Sequence, residues 1–143
     1  MSAFRLTLIL ALVLLGFGCS GKQNANRPKV HPVSGKILFA GKAAVGAQVV
    51  LYEKDQTGKS PYRPHGTVDA DGVFRLTTFA TNDGAPDSDY ALTVTWPSSP
   101  VKGQGEDETG PDRFANRYAD YRRPAAQVTI TSETSELATL EFR

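Results

Sequence analysis

The chain has 143 residues, 40% hydrophobic and 22% charged, a composition that suits one folded domain of ordinary size and argues against a disordered chain. Its 16 Lys and Arg against 15 Asp and Glu leave it close to neutral, without the basic excess that nucleic-acid binding draws on. A single cysteine excludes an internal disulfide and a cysteine-based zinc cluster, so stability has to come from packing.

The N-terminus reads as an export signal. Arg5 precedes a continuous apolar run from Leu6 to Leu15, and small residues follow up to Cys19. The run is shorter than the about 20 residues that a transmembrane helix needs, and no later segment approaches that length. The end of this segment, Leu15-Gly16-Phe17-Gly18-Cys19, resembles the bacterial lipobox, in which a small residue precedes a cysteine that is diacylated and becomes the new N-terminus. Gly18 matches the small residue; Gly16 stands where the family usually has an aliphatic one, and Phe17 is bulkier than usual. The resemblance implies residues 1–18 as a lipoprotein signal peptide, acylation at Cys19, and delivery to the cell envelope. With Ser20 rather than Asp after the cysteine, it implies the outer membrane over the inner. A plain secretory signal is the alternative. Each buried methylene contributes about 0.8 kcal/mol and stable anchoring takes two chains, as a lipobox cysteine carries.

Residues 19–32 form the expected tether. Ser20-Gly21-Lys22-Gln23-Asn24-Ala25-Asn26-Arg27-Pro28-Lys29 has no apolar period and is rich in loop formers. His31 falls in this stretch.

From residue 33 to 143 the pattern predicts strands. Val33–Phe39 alternates, Ala40-Gly41-Lys42 is a turn, and Gln48–Glu53 is a second strand. A polar loop follows from Asp55 to Pro61, then a short strand over His65–Val68. Asp69-Ala70-Asp71-Gly72 is a strong turn signal leading into Val73–Phe79, and Asn82–Asp87 is another. Tyr90–Trp96 gives the clearest strand, with Tyr90, Leu92, Val94 and Trp96 on one face and Ala91, Thr93 and Thr95 on the other. Ala126–Thr131 and Leu137–Phe142 close the set. Phe114, Tyr118 and Tyr121 recur at helical spacing and predict a short helix over 112–121, next to an exposed acidic loop at Glu106-Asp107-Glu108. The expectation is an all-β, seven-stranded antiparallel sandwich.

Four segments carry a resemblance to the carboxypeptidase-regulatory-like, or transthyretin-like (prealbumin-like), sandwiches. They are Val33-Ser34-Gly35-Lys36-Ile37, Ala44 to Leu51, Thr67-Val68-Asp69-Ala70-Asp71-Gly72-Val73-Phe74, and Tyr90-Ala91-Leu92-Thr93-Val94. Further on, Asp83-Gly84-Ala85-Pro86 and Arg117-Tyr118-Ala119-Asp120 are similar to elements of small bacterial lipoproteins built on such a domain. The resemblance implies a non-catalytic envelope module with no defined ligand.

The residues bear on three kinds of chemistry. Asp69 and Asp71, with Asp83, are candidate calcium ligands; Thr78 stands where a calcium loop would place its bidentate Glu, and turn chemistry is the simpler role. Transthyretin-related hydrolases end in Tyr-Arg-Gly-Ser, whereas this chain ends Leu140-Glu141-Phe142-Arg143. No nucleophile elbow or metalloprotease helix motif is present either, and His31 and His65 are not expected to share a site. Tyr52, Tyr62, Phe79, Trp96, Phe114, Tyr118 and Tyr121 either form a binding surface or pack, with Trp96 and Phe79 in the core and Phe114 and Tyr118 closing one end. Arg113, Arg117, Arg122 and Arg123 are expected to pair with the acidic loop. The resulting expectation is a lipid-anchored binding or structural module without catalytic residues or cofactor. Its partners would be the membrane, through the lipid, and an envelope protein or polysaccharide; a secreted accessory or transport-associated domain without the lipid anchor is the alternative, and a transthyretin-type hydrolase the third reading.

Overall fold

Alternating apolar and polar residues build the strands, and the computed structural model describes residues 27–54, 61–98 and 110–143. Cys19, the export segment, most of the loop from Asp55 to Pro61 and the acidic stretch at Glu106-Asp107-Glu108 lie outside the described residues. The strands in chain order are β1 (Val30–His31), β2 (Ser34–Phe39), β3 (Lys42–Ala43), β4 (Gln48–Glu53), β5 (His65–Thr67), β6 (Val73–Arg75), β7 (Ala85–Pro86), β8 (Ser88–Thr95), β9 (Ala126–Ile130) and β10 (Leu140–Phe142). The fold is all-β, with no α-helix among the described residues.

One four-stranded sheet runs β5-β4-β8-β9. Its centre is β8, paired antiparallel with β4 from Gln48↔Thr95 to Glu53↔Tyr90, and with β9 from Ser88↔Ile130 to Leu92↔Ala126. The second four-stranded sheet is organised around β2. Its first half pairs with β6, its second half with β10, and Leu38–Phe39 also pair with β3. His65 and Thr77 exchange both backbone hydrogen bonds, at 3.0 and 2.8 Å, and so link the two sheets along one side.

Inward residues of both sheets enter one core. Val49, Leu51, Tyr90, Leu92 and Val94 come from one, and Ile37, Phe74 and Phe142 from the other. Phe74 is 1% exposed and lies over Gly35, where an added Cβ would meet its ring at 2.5 Å. The glycine in the Val33–Ile37 motif is therefore the space the ring occupies. Burial, and behind it the carboxylates of Glu53 and Asp87, pushes the Tyr90 phenol above its usual range. It stays a neutral donor to the Pro86 carbonyl at 3.0 Å.

All seven expected stretches contain a strand, and three two-residue strands, β1, β3 and β7, add to them. Two residues show no period, so a pattern search misses them. One of the three, β1, lies in the stretch assigned to the tether. Val30 and His31 pair with Pro86 and Ala85, and His31, 9% exposed, places Nε2 3.0 Å from Asp87 Oδ1. The fit demands glycine at 84: φ there is +96°, and an added Cβ would meet the His31 carbonyl oxygen at 1.6 Å. A second departure is β10, which runs parallel to β2 rather than antiparallel. The chain leaving β9 returns along Ser34, where Leu137 N–H donates to the Ser34 carbonyl at 2.8 Å, before pairing begins.

The helix expected over 112–121 does not form. Ala115 and Asn116 take left-handed φ of 51° and 59°, and the bonds are three-residue turns, Ala115 N–H to Asp112 O and Arg117 N–H to Phe114 O. The Asp112 carboxylate decides the outcome. Oδ1 accepts from the N–H of Trp96 at 2.6 Å and of Phe114 at 3.1 Å, and Oδ2 from Asn116 N–H at 2.9 Å. One side chain thus ties the segment to the end of β8 and takes the Asn116 N–H, which a helix would give to the Asp112 carbonyl.

Truncating the best-buried ring should show how much the two sheets depend on each other. Phe74→Ala is expected to cost about 3–5 kcal/mol, read as a lowered urea midpoint at unchanged slope.

Candidate functional site

Cross-strand register places Tyr52, Ala91 and Gln127 in one row across β4, β8 and β9, on the face turned away from the core. The middle member carries only a methyl group, so the row dips between a ring and an amide. The segment after the Asp112 turn then folds across this face. Val94 N–H donates to the Tyr118 carbonyl at 3.0 Å, and Ala125 N–H to the Leu92 carbonyl at 2.9 Å. Between these two anchors, Tyr121 stacks on Tyr52 with ring centroids 5.3 Å apart and planes 26° apart. The result is a groove of about 300 Å³ over Ala91, with Pro124 and Gln127 on its far wall.

Charge is gathered around these rings. The Arg63 guanidinium lies 5.0 Å from the centre of the Tyr52 ring and that of Arg122 5.4 Å from the Tyr121 ring. Lys54 Nζ donates to Gln127 Oε1 at 2.7 Å. The one carboxylate among the described lining residues, Glu53, accepts from Ser88 Oγ at 2.8 Å. Among the described lining residues three cations stand with one acid, a balance that favours an anion, and the rings give the groove a flat apolar wall.

The other sequence candidates separate. Phe114 and Tyr118 join the core: Phe114 packs on Phe142 at 4.9 Å and Tyr118 on Phe142 at 4.6 Å. Trp96 and Phe79, expected in the core, are only partly buried. Trp96 leans on the core and donates Nε1–H to the Val45 carbonyl at 2.9 Å. Phe79 pairs edge-on with Tyr62, under Arg27. Both follow the ends of their strands, where the alternation that sends a side chain inward no longer applies. Arg113 rests on the Trp96 ring at 4.7 Å, and Arg123 reaches Asp120 at 3.9 Å. His31 and His65 have separate partners, Asp87 for the first and the Arg63 carbonyl for the second.

Asp69 and Asp83 serve their own turns. Asp69 Oδ1 accepts from Asp71 N–H and Val73 N–H at 2.9 and 3.0 Å, and Oδ2 from Arg75 Nη1 at 3.2 Å. Asp71 enters this arrangement through its backbone. The Asp83 carboxylate accepts the N–H groups of Thr78, Phe79 and Ala80 at 2.7, 3.0 and 2.9 Å. Among the described residues no group of three or more His, Cys, Asp or Glu comes together as a metal site would require.

Tyr52 and Tyr121 were visible in the sequence as aromatics, but their partnership was not, because it spans the fold. Ala91 carried a signal that could have been used: it is the small residue among the outward positions of the clearest strand. Arg63 and Gln127 carried none.

Two substitutions test these carboxylates. Hydrogen bonding from Val73 N–H first, then from Asp71 and Arg75, holds the Asp69 carboxyl below its ordinary range. A carboxyl depressed in the fold lends stability that is complete above about pH 4 and lost as pH falls through and below that range. The stability advantage of wild type over Asp69→Asn should therefore narrow on acidification, followed by urea midpoints. Asp112→Ala, which orphans three N–H groups, should cost about 1–3 kcal/mol and reduce the near-ultraviolet dichroism of Trp96.

No family model matches the chain, and no curated protein matches it either. Among solved structures it is similar to a 9R-lipoxygenase from Cyanothece PCC8801, at 17% identity and a TM-score of 0.40; the likeness covers 81% of this chain, which spans 17% of the lipoxygenase chain.

Proposed function

We propose that the protein is a cell-envelope lipoprotein, anchored through acylated Cys19, whose transthyretin-like sandwich presents the Tyr52–Tyr121 groove as a non-catalytic binding face. The observation that carries the binding reading is the groove itself. Rings, guanidinium groups, an amide and a serine-bound carboxylate surround a methyl floor, a set suited to recognition. Covalent or acid–base catalysis asks for a nucleophile beside a positioned base, and both histidines are engaged elsewhere. The transthyretin-like reading draws support from the order of the sequence motifs and from two four-stranded sheets that share one core.

The anchor rests on the sequence: Arg5, the apolar run, and the chain's one cysteine at its end. A short polar tether would carry the domain off the bilayer, with its outer face open to ligands.

Metabolic labelling with a clickable palmitate analogue tests the anchor. Wild type should take up label and sediment with membranes, and Cys19→Ser should do neither. Recovery of unlabelled wild-type protein in the soluble fraction, with a free α-amino terminus, would overturn the lipoprotein assignment.

A further inference from the structure

We propose that the groove takes a carboxylate-bearing pyranose, one sugar unit of an acidic polysaccharide, seated against Tyr121 with its carboxylate between Arg122 and Lys54. This rests on the reading of the groove as a ligand site, and is independent of the acylation of Cys19.

Four observations lead to this class of ligand. The first is charge. Among the described residues that line the groove, Lys54, Arg63 and Arg122 stand with one acid, Glu53, whose carboxylate is already held by Ser88. Lys54 is bonded to the neutral Gln127 amide, and neither it nor Arg122 has an ion-pair partner among the described residues. An incoming carboxylate would meet two cations without displacing one of the protein's own acids, and an Arg–carboxylate pair adds directional hydrogen bonds.

The second is the flat wall. Tyr121 is 42% exposed although it stacks on Tyr52. A ring so placed offers apolar surface to the C–H face of a sugar, in the way that aromatic side chains offer a flat, half-wet contact at other interfaces.

Third, the floor excludes a strand-adding peptide. Ala91 lies on β8, which is paired along both edges, with β4 and with β9. Its backbone groups are spent in the ladder, so recognition over the floor has to use side chains. The available groups both donate and accept, as hydroxyls require: guanidinium and ammonium on one side, the Gln127 amide and Glu53 carboxylate on the other. A peptide adding a strand would use the open edge of β9 instead.

The fourth is size. About 300 Å³ is at the small end of ligand pockets, enough for one ring with its substituents, while the open top leaves room for the polymer to continue on either side.

The test uses the full chain in detergent, at low salt, with three probes: trigalacturonate, its methyl ester, and hexaglutamate. Calorimetry gives the affinities and NMR the residues affected. Trigalacturonate should bind and shift the ring resonances of Tyr52 and Tyr121. Methyl esterification, Arg122→Gln and Tyr121→Ala should each weaken it by about tenfold or more, the scale of one charge-assisted hydrogen bond or ring contact. Added salt should weaken it as well. Both substituted side chains are exposed, and an unchanged circular dichroism spectrum confirms that the variants fold.

Equal binding of the ester would overturn the acidic class in favour of a neutral sugar. Binding of hexaglutamate but not trigalacturonate would overturn it in favour of an acidic peptide. If either probe still shifts the Tyr52 and Tyr121 rings, the groove stands as a ligand site. Affinity for trigalacturonate untouched by both substitutions, or no shift of the two rings by any probe, would remove the groove reading together with the sugar.

Discussion

The pairing of β8 with β4 over six residues is the constraint on which the rest depends. It sets Tyr90, Leu92 and Val94 into the core and, by the same period of two, turns Ala91 and Thr93 to the other face. A slip of one residue would exchange the two sets, emptying the core and filling the groove together. Stability and the candidate site therefore share one register, and neither can be altered there without the other.

Carboxylates finish what the strands begin. Asp69, Asp83 and Asp112 each collect two or three backbone N–H groups at a place where the chain leaves a strand. A small all-β domain has many such exits, and this chain has no disulfide to hold them, so local caps do part of the work that cross-links do in other small domains. Asp112 matters most to the site. By keeping the segment at 113–118 in turns bound to the end of β8, it directs the following residues across the sheet, where Tyr121 meets Tyr52.

Much of the fold was legible in the sequence, and the reasons for the exceptions are specific. Gln48–Glu53 and the strand around Tyr90–Trp96 were readable because alternation and flanking turns agreed there. The helical period at 112–121 forms no helix, because Phe114, Tyr118 and Tyr121 keep that spacing for unrelated reasons. The first two pack on Phe142, and the third lies on the opposite face of the sheet with Tyr52. Val30 and His31 continue a polar tether in the sequence, and the residues before them give no sign that Asp87 and the bare backbone at Gly84 receive them. The site was legible only as a list of aromatics and arginines. Which of them meet is decided by pairings across the fold, and short-range periodicity does not report those.

The central claim is that the groove exists before any ligand arrives, with the Tyr121 ring resting on Tyr52 above Ala91. Nuclear Overhauser contacts between the two rings, measured on the unliganded protein, test it directly. Centroids 5.3 Å apart predict strong ring-to-ring cross-peaks that disappear in Tyr121→Ala. Their absence from the wild-type spectrum, with Tyr121 giving the sharp averaged signals of an unrestrained side chain, would contradict the account.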